Sequence, residues 1–142
     1  MNARRMTCLL KECQFECRVS SVLNKNTRSY GKQYMFDDTS ETCWHSDIGT
    51  QQWILINFEN ICIISAFEIE FQGGFAGKDC SVEIIGKNNC TVAVEHFFPE
   101  DTNAVQRFSL KNAVSAKSFK LIFNGSTDLF GRIIIYRLSL YS

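Results

Sequence analysis

The sequence predicts an all-β fold, a jelly-roll sandwich of about eight antiparallel strands, and three observations lead there. Phe occurs 12 times against a single Pro, and aromatic side chains suit the pleated, half-buried surface of a strand. Apolar and polar residues alternate in several short runs, the period-two pattern of strands with one wet face. Polar or glycine-bearing turns break those runs at close intervals, with no helical period between them, which removes a doubly wound α/β fold.

A chain of 142 residues suits one domain. Its 45% hydrophobic content excludes wholesale disorder. No apolar run approaches the roughly 20 residues that span a bilayer. The apolar stretch after Arg4 and Arg5 is too short for a secretory core. No signal peptide and no membrane partner are expected.

Residues 1–16 show no clear period and are read as an N-terminal arm; the β-sandwich domain is expected over 17–142. The run 17–23 is the first expected strand. Residues 24–32 are polar and turn-like, with Gly31 free to take a positive φ. A bend follows, with five polar residues from Asp37 to Glu41 before Thr42, Cys43 and Trp44. It is expected as a side-chain-tied turn at the rim of the sandwich. Residues 52–58 form the next strand, with a turn at Glu59 and Asn60.

In the strand after that turn, Phe67, Ile69 and Phe71 face one way, and Glu68 and Glu70 the other. A glycine-punctuated loop spans 72–78. Strands are expected over 80–86 and 91–98, with Pro99 stopping the second, and a short one over 107–110. In 118–123, Phe119, Leu121 and Phe123 share a face. A loop over 124–131 leads to the closing strand, 132–141, where Ile134, Tyr136, Leu138 and Leu140 are expected on one side.

Net charge is zero, yet residues 1–32 carry seven basic and two acidic side chains, giving +5, and the remainder −5. A basic arm on an acidic body suits an acidic partner or a phosphate backbone. A solvated tail is the simpler reading, and no direct nucleic-acid contact is expected. Seven cysteines, an odd count with no secretory signal, read as free thiols in a reducing compartment. Cys13, Cys17, Cys43 and His45 lack the paired C-x-x-C spacing of a zinc site. Glu68 and Glu70, about 6.6 Å apart at Cα on a strand, match the spacing of catalytic carboxylates. Alternation nevertheless puts both on an ordinary polar face. No P-loop, nucleophile elbow, dinucleotide fingerprint or metalloprotease helix is present, so the chain is read as no enzyme.

The spacing Asp37, Thr42, Trp44, then Ser46 and Asp47, the Gln52–Trp53 strand start, and the G-R-I-x-I-x-x-L run from Gly131 to Leu138 resemble the discoidin-like family. These are the coagulation factor type C domains among the galactose-binding-like jelly rolls. Residues 18–32, 71–75, 97–108 and 130–138 together resemble a small intracellular, single-domain branch of that family. The resemblance implies a protein-interaction module of the nucleus and cytoplasm, one that associates with an orphan nuclear receptor and represses it. A carbohydrate-binding domain and an adaptor of a ubiquitin-ligase-type complex are the competing readings.

The family binds ligands where its loops gather, which implies Trp44, His45, Gln72, Phe75, Phe130 and Arg132 as partner-binding residues. Phe75 and Phe130 sit in glycine-flanked loops, either exposed beside Arg as hot-spot residues or folded back over the sandwich end. Trp44 and Trp53 are ligand platforms or core residues. The family's calcium turn implies Asp37 and Thr42 as ligands of a structural calcium ion. The same carboxylate and hydroxyl would equally tie the turn by hydrogen bonds.

Overall fold

The computed structural model describes residues 8–142. Arg4, Arg5 and the rest of residues 1–7, which carry part of the expected basic arm, lie outside the described residues. The first element is a single turn of helix, α1 (Leu9–Glu12), followed by strand β1 (Phe15–Val19). After a 3₁₀ turn at Leu23–Lys25 come α2 (Thr27–Tyr30) and a second 3₁₀ turn at Lys32–Met35. Then follow β2 (Trp44–His45), β3 (Gln52–Phe71), β4 (Gly77–Ile85), β5 (Thr91–Phe97), β6 (Val105–Ser126) and β7 (Ile134–Tyr141).

All strand pairs are antiparallel. The order β2-β7-β3-β6-β4-β5 is completed by β1, which pairs with β3. The two longest strands, β3 and β6, serve both layers. Residues 52–57 of β3 lie between β1 and residues 118–123 of β6. Residues 66–71 of β3 lie between β7 and residues 105–109 of β6. The bend between the layers is built from two register jumps. Pairing passes from Asn57–Ser118 to Cys62–Ala116, then from Ile64–Val114 to Ala66–Ser109. The first jump places extra residues on β3 and the second on β6, so the ladder continues around the corner.

This corrects two boundaries. The expected turn at Glu59–Asn60 is a bulge inside one strand, and the expected strands 107–110 and 118–123 are two halves of β6. The first strand also lies earlier than 17–23. It stops at Val19 because the Ser20 and Ser21 hydroxyls both donate to Gln52 Oε1 (2.6 and 2.8 Å), anchoring the chain before it turns. Residues 9–16 of the expected arm form α1 and the start of β1, and Leu9 is buried in the core.

The core lies between the layers. Phe67, Ile69, Phe71, Phe119, Leu121 and Phe123 are all buried, as their alternation predicts. Phe67 sits at its centre, with the rings of Phe97, Phe108 and Phe119 at 5.0–5.4 Å. In β7 the expected face is broken. The register shifts between Glu70 and Phe71, so Ile135 pairs with Phe71 and enters the core. Tyr136 turns outward, and its hydroxyl donates to Gln72 Oε1 at 2.8 Å.

Candidate interaction rim

Three connections meet at one end of the sandwich: β2–β3, β3–β4 and β6–β7. The β6–β7 loop is ordered by Asp128. Its carboxylate accepts from Arg132 Nε (2.8 Å), Arg132 Nη2 (3.0 Å) and the backbone N–H groups of Phe130 (3.3 Å) and Arg132 (3.1 Å). The Arg132 guanidinium, above all, holds the Asp128 carboxyl at about 2, below the usual carboxylate range. The loop closes on Gly131, whose φ of +80° suits a residue without a Cβ. A Cβ there would meet the Gly49 carbonyl oxygen at 1.8 Å, while the Gly49 N–H donates to the Phe130 carbonyl (3.1 Å). The two loops are therefore locked backbone to backbone.

The β3–β4 loop joins the same end. The Gln72 N–H donates to the Ile134 carbonyl, and the Phe75 N–H to the Gln72 carbonyl, both at 3.0 Å. Thr127 and Ala76 exchange bonds across the gap, Thr127 N–H to the Ala76 carbonyl and Ala76 N–H to Thr127 Oγ1. On this scaffold lies a row of flat groups. Tyr30 packs against His45 (5.4 Å), and His45 against Phe75 (6.1 Å). The Arg132 guanidinium then sits 5.3 Å from the Phe75 ring and 5.5 Å from the Phe130 ring.

Of the six residues read as partner-binding, four stand in or beside this row: His45, Phe75, Phe130 and Arg132. Gln72 is a tie, occupied by Tyr136. Trp44 is corrected to a core residue. It is fully buried, and its indole N–H donates to the Ser21 carbonyl at 2.9 Å, so its ring presents no surface to a partner. Trp53 lies half-buried with Lys120 Nζ 5.2 Å from its ring. Sequence reasoning missed Ile48 and Leu129, which are 63% and 91% exposed beside Phe130 at 60%. The signal was present, since both are large apolar residues inside otherwise polar loops.

The Asp37–Thr42 turn is tied elsewhere. Asp37 Oδ1 accepts from the Thr39 N–H (3.2 Å), and Asp37 Oδ2 from the Thr42 hydroxyl (2.5 Å). Asp38 pairs with Lys11 at 2.7 Å, drawing the bend toward α1 rather than toward the loops of the ring row. The Asp37–Thr42 part of the bend thus lies apart from the ring row, which the chain joins only at His45. Calcium requires six to eight oxygens. Here both oxygens of Asp37 accept hydrogen bonds within the turn and Asp38 faces Lys11, so these side chains already tie the bend without a metal ion. Cys13 and Cys17, two of the four residues weighed for zinc, part company. Cys13 faces Cys62, sulfur to sulfur at 3.1 Å. Cys17 is buried, which pushes its thiol up to about 12. Among the described residues no cluster of three His, Cys, Asp or Glu side chains is placed to hold a metal ion.

No protein-family model matches the chain. It is similar, at 43% identity over 125 residues, to the nuclear receptor 2C2-associated protein of Danio rerio, covering 88% of this chain and 89% of that protein. The Homo sapiens protein of the same name is 41% identical over 121 residues, covering 85% and 86%. Among solved structures, the F5/8 type C domain of a Bacteroides fragilis protein superposes with a TM-score of 0.77 at 13% identity, covering 99% of this chain and 98% of that one. A family 32 carbohydrate-binding module of Clostridium perfringens NanJ, in complex with galactose, gives 0.75 at 16% identity, covering 90% and 93%. The fold is therefore the discoidin-like, galactose-binding-like sandwich.

Proposed function

The chain belongs to the nuclear receptor 2C2-associated protein family, and we propose that it works as a nuclear receptor-associated binding protein without catalysis of its own. Its partner docks on the loop rim, and docking represses the receptor in nucleus and cytoplasm. The names of the relatives support the receptor association. The observation that carries the docking surface is the exposed apolar tip of Ile48, Leu129 and Phe130. It stands on two loops locked together at Gly49 and Gly131, beside the fixed Arg132–Asp128 pair.

A rigid apolar tip beside an ordered guanidinium loses little entropy on binding, which is how hot-spot residues gain their weight. The groups at this tip offer contact rather than reaction. Its carboxylate, Asp128, is taken up by Arg132 and two backbone N–H groups. His45 Nδ1 lies 2.7 Å from the Ser46 carbonyl, and its ring is packed between Tyr30 and Phe75.

The test is calorimetric titration of the purified chain with nuclear receptor 2C2. The double variant Leu129→Ala/Phe130→Ala is expected to lose affinity by at least about tenfold. Its melting temperature should hardly move, because both side chains are already in solvent. Undiminished affinity in that variant would sink the rim as the docking surface. A galactose titration that shifts the resonances of these loops, with no response to the receptor, would favour carbohydrate instead.

A further inference from the structure

A second surface runs along the flank, at the open edge of β1. The Ser20 N–H donates to the Trp53 carbonyl and the Glu59 N–H to the Gln14 carbonyl, so residues 14, 16, 18 and 20 turn their backbone groups toward β3. By the alternation of an antiparallel ladder, the N–H and C=O of Phe15, Cys17 and Val19 point the other way. Among the described residues no backbone or side-chain group is bonded to them there. Three hollows follow one another along β1. One of about 470 Å³ is lined by Phe15 and Glu16 with Asn57 and Phe58. The next, about 490 Å³, is lined by Glu16, Cys17, Arg18 and Lys32. The last, about 230 Å³, runs from Arg18 and Val19 to Gly31 and Gln33.

The charge beside this edge is mainly basic, with Glu16 on β1 itself the acid that lines the first two hollows. Residues 18–32 contain four basic side chains, Arg18, Lys25, Arg28 and Lys32, and no acidic one. Among the described residues none of the four is in an ion pair. An open edge is a template for strand addition, with main-chain bonds supplying affinity and flanking side chains supplying choice. We propose that the β1 edge is a docking site for an acidic polypeptide segment that adds as a further strand, with its carboxylates against Arg18 and Lys32. A nucleic acid answers this edge less well. Phosphate oxygens only accept, so the outward carbonyls of Phe15, Cys17 and Val19 would stay unanswered.

The experiment uses the isotope-labelled full chain and three probes. These are a fluorescein-labelled peptide alternating Glu with Val or Thr, its counterpart with Lys in place of Glu, and an oligothymidylate. The peptides are about seven residues long, enough to span β1 at ~3.3 Å per residue. The acidic peptide is expected to bind and to slow hydrogen exchange at the amides of Phe15, Cys17 and Val19. Arg18→Glu/Lys32→Glu, two exposed sites that leave the core untouched, should weaken it at least about tenfold. No binding, equal binding of the Lys peptide, or a response confined to the Ile48–Phe130 tip would overturn the proposal. So would oligothymidylate binding as tightly as the acidic peptide without protecting those amides, or a chain that sediments as a dimer through β1.

Discussion

Asp128 shows how one carboxylate organises a loop. Four donors converge on it, two from the Arg132 guanidinium and two from the backbone, so a seven-residue connection that would otherwise be loose has one geometry. The pH dependence follows from the sign of its shift. Its folded value, about 2, lies below the ordinary carboxylate value of about 3.9. Its stabilisation is therefore complete above pH ~4 and is lost as pH falls through the folded value. Asp128→Asn should cost of the order of 1–2 kcal/mol at pH 7, the lower range for a charged hydrogen bond because Arg132 is partly in solvent. Urea unfolding at neutral and acid pH reads this directly. The gap between wild type and variant should close as pH approaches 2, and a gap that widened in acid would refute this account of the loop.

At the scale of elements, the paired strands β3 and β6 hold the sandwich together. Each contributes to both layers, so the bend at their double register jump joins the two sheets covalently as well as by packing. Phe67 stands on β3 where the layers close, against rings from β5 and both halves of β6. Phe67→Ala should therefore destabilise the fold by about 3–5 kcal/mol, the cost of a large aromatic cavity. Phe98→Ala, one residue beyond β5 and 72% exposed, should stay within about 0.5 kcal/mol. Thermal unfolding of the two variants separates the predictions, and similar losses would show that the core is not centred on Phe67. The alternation that placed Phe67, Ile69 and Phe71 was legible because side chains in a ladder have period two. The break at Tyr136 was not, because it arises from a register shift against β3 and nothing in residues 132–141 alone encodes it.

For the whole molecule, stability should be independent of calcium. The Asp37–Thr42 turn is closed by its own hydrogen bonds and by Lys11, so EGTA should leave the melting temperature unchanged to within about 1 °C. A marked fall on chelation would restore Asp37 and Thr42 as metal ligands. The sandwich class, the inward faces of β3 and β6 and the loops that carry Phe75 and Phe130 could be read from the chain, because each rests on local periodicity or a neighbouring glycine. Only the tertiary structure decided that Trp44 is a plug rather than a platform, that Ile48 joins Leu129 and Phe130, and that β1 keeps an open edge. These are relations between segments far apart in sequence. They depend on backbone pairing such as Gly49 with Phe130 and on which side of β1 meets β3, and a one-dimensional pattern fixes the side of a strand without saying what lies opposite it.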